Sequence, residues 1–313
     1  MVHVGSARTG RFILQSDSGW GHRIQLNFVR FLRKFNYGYC YRAIQLSSVQ
    51  TMNSSYWDNI YQGRKQHEPT STRYAEIAAG VMQQIAGFSG RLLLLSVSPT
   101  LSSTGFDTTA VDRNAAVVRH RWPGNSTTRR AVVADWRQLP FAPGSFGICV
   151  GDGSINVLEY RDVKAIYDNL ARVLLPGARF VCRIYLSPDT SETVADVVAK
   201  TWQGEARSFV MFKFRLAMAI AAERGDPNVP VVSIYEAFAS NFPDRDRLAA
   251  ATGLDRSEID RIEFYKDSSE IYNFPTREQT LAVIPRDFAN ARFVPVGTYE
   301  LAERCPLLVV ERK

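Results

Sequence analysis

From about residue 70 to the C-terminus, strand-length apolar runs alternate with longer segments whose apolar residues recur every three or four positions. A chain with that alternation folds as a mostly parallel sheet with covering helices, because parallel strands need long, usually helical, crossovers. Arg73–Ile85 has helical spacing and stops short of Gly87. Arg91–Ser96 is continuously apolar, as a strand buried on both faces must be, and breaks into Val97-Ser98-Pro99-Thr100. Further strands are predicted over 106–112, 130–134, 146–150 and 178–186, with helices over 114–121 and 161–175, the latter stopped by Pro176-Gly177. A mainly helical stretch, 187–290, precedes two last strands over 292–296 and 307–310. Their short connection permits antiparallel pairing.

Composition narrows the class. At 313 residues and 45% apolar, the chain has material for one large domain or two modest ones. It contains no run of some eighteen apolar residues, so no membrane span is expected. Cys40, Cys149, Cys182 and Cys305 lie far apart, and so do the four histidines, which argues against a disulfide framework and a metal site. A reduced, cytoplasmic protein is the expectation.

The net charge of +7 is unevenly placed. Residues 1–51 hold seven basic side chains against Asp17, so the remainder is nearly balanced. A balanced body gives no reason to expect a nucleic-acid partner. The basic stretch 1–51 reads as an extension ahead of a domain over 52–313. Three readings fit it: a dispensable tail, with Met52 as the native start; a partner-binding or lid arm; and a targeting segment. A helix over Gly21–Phe35 would align Ile24, Phe28, Phe31, Leu32 and Phe35 on one face.

Function in an open parallel sheet sits at the carboxyl ends of the strands. There the sequence puts Ser96-Val97-Ser98-Pro99, then Asp112, then Asp135-Trp136, then Gly151-Asp152-Gly153-Ser154. An acid some sixteen residues past the first loop suits two vicinal ribose hydroxyls, whereas an acid followed by an indole suits a purine.

In this order the pieces resemble the class I S-adenosylmethionine-dependent methyltransferases, over roughly 56–186 and again over 292–312. The resemblance rests on Trp57-Asp58-Xaa-Xaa-Tyr61, Leu92–Ser98, Val111-Asp112, Ala134-Asp135-Trp136, Leu139-Pro140-Phe141, Ser145-Phe146-Gly147 and Arg172–Phe180. It implies an α/β, Rossmann-like seven-stranded sheet, mostly parallel with an antiparallel last strand and helices on both faces. It also implies S-adenosylmethionine as cofactor, held by Trp57, Ser96, Val97, Ser98, Asp112, Arg113, Asp135, Trp136 and Gly151. Asp152 would face a small-molecule acceptor, with 187–290 as an insertion roofing it. The first motif departs from the family pattern: Leu94, Ser96, Ser98 and Thr100 stand where an acid and three glycines are usual.

Plainer readings apply to the same residues. Asp112 and Asp135 also suit helix caps, Gly151–Ser154 a tight turn, and Phe209, Met211, Phe212 and Phe214 an ordinary core. A methyltransferase-like binding or scaffold protein without catalysis is the alternative function, favoured by the glycine-poor loop. A nicotinamide oxidoreductase fits poorly, because Val97-Ser98-Pro99 lacks the glycines of its first turn.

Overall fold

The computed structural model describes residues 72–313 together with Tyr56, Trp57 and Ile60. The extension 1–51, its expected helix, and Asp58 and Tyr61 lie outside the described residues.

Helix α1 (Thr72–Ile85) leads into β1 (Leu92–Leu95) and β2 (Thr108–Asp112); then come α2 (Ala115–Arg121), β3 (Arg129–Val133) and β4 (Phe146–Asp152). Helix α3 (Val163–Val173) runs directly into β5 (Leu174–Arg183). After the insertion, β8 (Phe288–Val294) and β9 (Leu307–Arg312) complete a seven-stranded sheet of order β3-β2-β1-β4-β5-β9-β8. The first five strands are parallel, and β9 runs antiparallel to both of its neighbours. This is the mostly parallel, Rossmann-like α/β sheet expected from the resemblance.

Strand alternation explains why the continuous apolar runs are needed. Leu93, Leu95, Cys149 and Phe180 face α3, packing on Ile166, Leu170 and Val173. Leu92, Leu94, Ile148 and Val181 face α1, packing on Ile77, Val81 and Ile85. The helix lies close: a Cβ on Gly80 would stand 2.4 Å from Val296 Cγ2.

Several boundaries differ from expectation, β8 by four residues at its start. Helix α3 ends at Val173, before Pro176-Gly177, because the strand has already begun. Pairing jumps from Phe146↔Leu174 to Ile148↔Arg179, so Pro176 and Gly177 (φ +78°) form an exposed bulge inside β5. Strand β4 extends through Asp152 because Gly151 and Asp152 still pair with Cys182 and Arg183.

The insertion contains α4 (Val194–Trp202), α5 (Phe209–Arg224), α6 (Val231–Asn241), α7 (Arg245–Thr252), α8 (Arg256–Asp260) and α9 (Arg277–Ala282). It also holds an antiparallel pair that the helical reading missed, β6 (Asn228–Pro230) with β7 (Ile271–Asn273). Phe209 and Phe212 pack with Phe238 and Phe242 in its own core. Two buried asparagines tie it to the sheet. Asn156 Nδ2 donates to the carbonyls of Tyr185 and Asn273, and Asn273 Nδ2 donates to those of Ile155 and Leu158.

Candidate active site

A cavity of about 1120 Å³ opens at the carboxyl ends of β1, β2, β4 and β5 and continues beneath the insertion. Single ligands usually occupy about 300–1,000 Å³, so there is room for more than one. Its floor is the set of strand ends; its roof is α5 and the segment Phe264–Phe274.

The first loop keeps the shape that glycine would allow. Ser96 has φ +97°, a left-handed conformation that non-glycine residues rarely adopt, and it stands at the first glycine of the family pattern. Its backbone N–H donates to the Val111 carbonyl at 2.8 Å, which fixes the turn against β2. Ser98 follows, its Oγ accepting from Leu101 N–H at 3.4 Å and its carbonyl accepting from Ser102 N–H at 3.0 Å. Both serines line the cavity, and so does Val97, which also packs in the α1 face of the core.

Asp112 sits at the end of β2, lines the cavity and is only 8% exposed. One oxygen, Oδ1, accepts from the Asn114 N–H at 2.9 Å. Capping of α2 itself falls to Asn114, whose Oδ1 accepts from Ala116 and Val117. Burial pushes the Asp112 carboxyl up to about 6, against the opposing effects of the Asn114 N–H and the Arg113 charge. Arg113 also lines the cavity and pairs with Glu270 of the insertion at 2.9 Å.

Asp135 and Trp136 have divergent placements. Asp135 accepts from the Arg137 N–H and guanidinium, and Arg137 reaches on to Asp162 at 2.7 Å. Burial opposes ionisation, but Arg137 outweighs it and holds the Asp135 carboxyl below its ordinary value. Asp135 is therefore a turn cap and ion-pair partner outside the cavity lining. The Trp136 indole does line the cavity, while its Nε1 donates to the Val111 carbonyl at 2.7 Å.

Gly151 is likewise outside the lining. A Cβ there would lie 2.8 Å from Ser154 Oγ and 3.0 Å from Cys182 Sγ, so its smallness serves packing. The neighbouring Gly153 does line the cavity, at φ +66°, where a Cβ would strike the Tyr185 ring at 2.6 Å.

Asp152 lines the cavity with a partner the sequence reading missed. Its Oδ1 accepts from Arg183 Nε at 2.6 Å, the two side chains being 12% and 2% exposed. Burial alone would lower the Arg183 pKa, but Asp152 and the Tyr185 and Tyr299 rings raise it well above its ordinary value. Arg183 Nη1 also donates to Tyr299 Oη at 3.3 Å. The missed signal was an arginine inside the apolar strand Phe180-Val-Cys-Arg183-Ile184-Tyr185: a charge there needs a partner.

Aromatic rings continue the wall upward. Tyr185 packs on Phe214 with ring centroids 4.5 Å apart, and Phe214 on Phe274 at 6.3 Å. Trp57 lines the same space, edge-on to Tyr56 at 5.1 Å, and Tyr56 shares a buried 2.8 Å hydrogen bond with Tyr272.

Residues 95–182 match the model of the methyltransferase domain family. Over this segment the chain is similar to a methyltransferase domain. A comparison with curated protein sequences found no match. Among solved structures, a protein from Rhodobacter sphaeroides that carries a Zn-dependent alcohol dehydrogenase name is 11% identical, with a TM-score of 0.50 over 83% of this chain and 98% of that one. The N-methyltransferase NodS from Bradyrhizobium japonicum WM9, crystallised with S-adenosyl-L-homocysteine, is 9% identical with a TM-score of 0.47 over 83% and 98%. A SAM-dependent methyltransferase from Methanosarcina mazei is 12% identical with a TM-score of 0.43 over 74% and 96%. At these identities the likeness is one of fold.

The residues present suit the methyltransferase cofactor. Ser96 keeps the left-handed turn, and Asp112 Oδ2 accepts no hydrogen bond from the described residues while its side chain lines the cavity. Those two features fit a nucleoside whose hydroxyls donate to a carboxylate. Among the described residues, no helix is long and apolar enough to cross a membrane.

Proposed function

We propose that the protein transfers a methyl group from S-adenosylmethionine to a small-molecule acceptor. The observation that carries this reading is a single cavity running from the strand ends to the insertion, with a buried carboxylate at one end and an aromatic chamber at the other. Bound there, the cofactor supplies an electrophilic methyl group on a sulfonium. Ser96, Ser98, Asp112, Arg113, Trp136 and Trp57 are the residues we assign to it, Asp112 accepting from the ribose.

The acceptor occupies the chamber between Asp152 and α5. With Arg183 on its Oδ1, Asp152 has its other oxygen available to orient a proton-bearing acceptor. Alignment supplies most of such a reaction's advantage, and a carboxylate held by a buried partner aligns well.

Mass spectrometry of small molecules released from the purified full-length protein tests this reading. S-adenosylmethionine or S-adenosylhomocysteine bound in stoichiometric amount supports it; protein purified clean, and still refusing both compounds at saturating concentration, rejects it. Binding without turnover on any acceptor would point to the noncatalytic scaffold.

A further inference from the structure

Helix α5 carries a lysine among its core residues. Lys213 is 8% exposed, faces the cavity, and has no hydrogen bond or carboxylate partner among the described residues. Its ammonium instead lies 4.4 Å from the Tyr265 ring centroid and 5.4 Å from that of Phe209. Two ring faces orient a cation but accept none of its N–H donors in the way an anion would, which leaves them to the cavity. The cavity as a whole leans the same way, lined by seven basic and three acidic side chains. Arg113, Arg183 and Arg261 have acids facing them, Glu270, Asp152 and Glu258, whereas among the described residues Lys213 on the roof has none, nor has Arg73 of α1, which lines the same cavity.

We infer that Lys213 receives the anionic group of the acceptor, which is a monoanion, a carboxylate on an aromatic body. The body of the ligand lies against the rings above the strand ends, Tyr185 and Phe214 on one side and Trp57 and Tyr265 on the other. The carboxylate reaches Lys213 on the roof, which leaves the rest of the ring pointing down toward Asp152. The ammonium of Lys213 offers one charge to one anionic group, and a charged hydrogen bond discriminates against the neutral analogue. This rests on the proposed methyl transfer for the ligand's role, but not for its binding.

The test uses benzoate and its neutral isostere benzamide, titrated calorimetrically into the full-length protein with and without saturating S-adenosylhomocysteine. Benzoate is expected to bind at least about tenfold more tightly than benzamide. Lys213→Met should bring the two ligands to within about twofold of one another, and Lys213→Arg should restore the preference. Circular dichroism and the thermal unfolding midpoint of each variant report that it is folded. Benzoate binding no tighter than benzamide to the unmodified protein, or a preference that survives in Lys213→Met, overturns the inference. If S-adenosylhomocysteine does not bind while the benzoate preference is present and depends on Lys213, the anion pocket stands and the methyl-transfer reading falls. The reverse pattern removes the pocket and keeps the cofactor.

Discussion

Asp152 and Arg183, paired across adjacent strands β4 and β5, join through a 2.6 Å contact between Oδ1 and Nε, with the arginine almost wholly buried. The pair closes the ends of both strands beneath the cavity. Removing one partner strands the other charge in a site of low polarity. Asp152→Asn and Arg183→Met should each lower stability by about 3 kcal/mol, and the double variant by clearly less than the sum. Urea unfolding of the three variants checks this; strict additivity would mean the pair is not coupled.

If Asp112 accepts from the ribose as proposed, cofactor binding should depend on pH. Its folded pKa of about 6 lies above that of an unfolded aspartate, so the folded chain holds the proton more tightly. Its contribution is therefore full below about pH 4 and lost as pH rises through 6, at a cost of about 3 kcal/mol. Asp112→Asn should stabilise the ligand-free protein at pH 7 and flatten that part of its pH–stability curve. Affinity for S-adenosylhomocysteine should rise between pH 5 and 7, because the ionised carboxylate is the better acceptor. A flat affinity profile would separate Asp112 from the ligand.

Ser96 holds its turn under strain. At φ +97° a glycine would be relaxed. Ser96→Gly should raise stability by about 1 kcal/mol, and Ser96→Val should lower it by more. Thermal unfolding of both variants measures the effect, and destabilisation by glycine would show that the serine side chain outweighs the strain.

Much of this was legible beforehand. Leu92–Leu95 announces a strand buried on both faces because nothing polar interrupts it, and the acids at 112 and 152 mark strand ends because a chain leaving a sheet turns polar. The use of those acids was harder to read. Asp135 and Asp112 look alike in sequence, yet Arg137 two residues on saturates the first and leaves the second facing the cavity. Arg183 and Lys213 are single charges in apolar stretches, and only the fold shows which has a counter-ion. Strands β6 and β7, three residues each, are too short for any period to register.

Glu192 anchors the insertion. It accepts from Lys200 at 2.7 Å, from Arg215 at 2.6 Å and from Arg304 at 3.2 Å, and the Arg215 hydrogen bond above all lowers its pKa to about 2. A depressed folded pKa gives stability that is present above about pH 4 and lost as pH falls toward 2. Glu192→Gln should therefore move acid unfolding to higher pH. An unchanged acid midpoint would mean that the three cations find other partners.

The most direct test of the account is a calorimetric titration of S-adenosylhomocysteine into the full-length protein and into Asp112→Ala at pH 7.5. The account predicts one site per chain in the first and a loss of about tenfold or more in affinity in the second, from deletion of one charged acceptor. No binding to the unmodified protein, or equal affinity in Asp112→Ala, would contradict it.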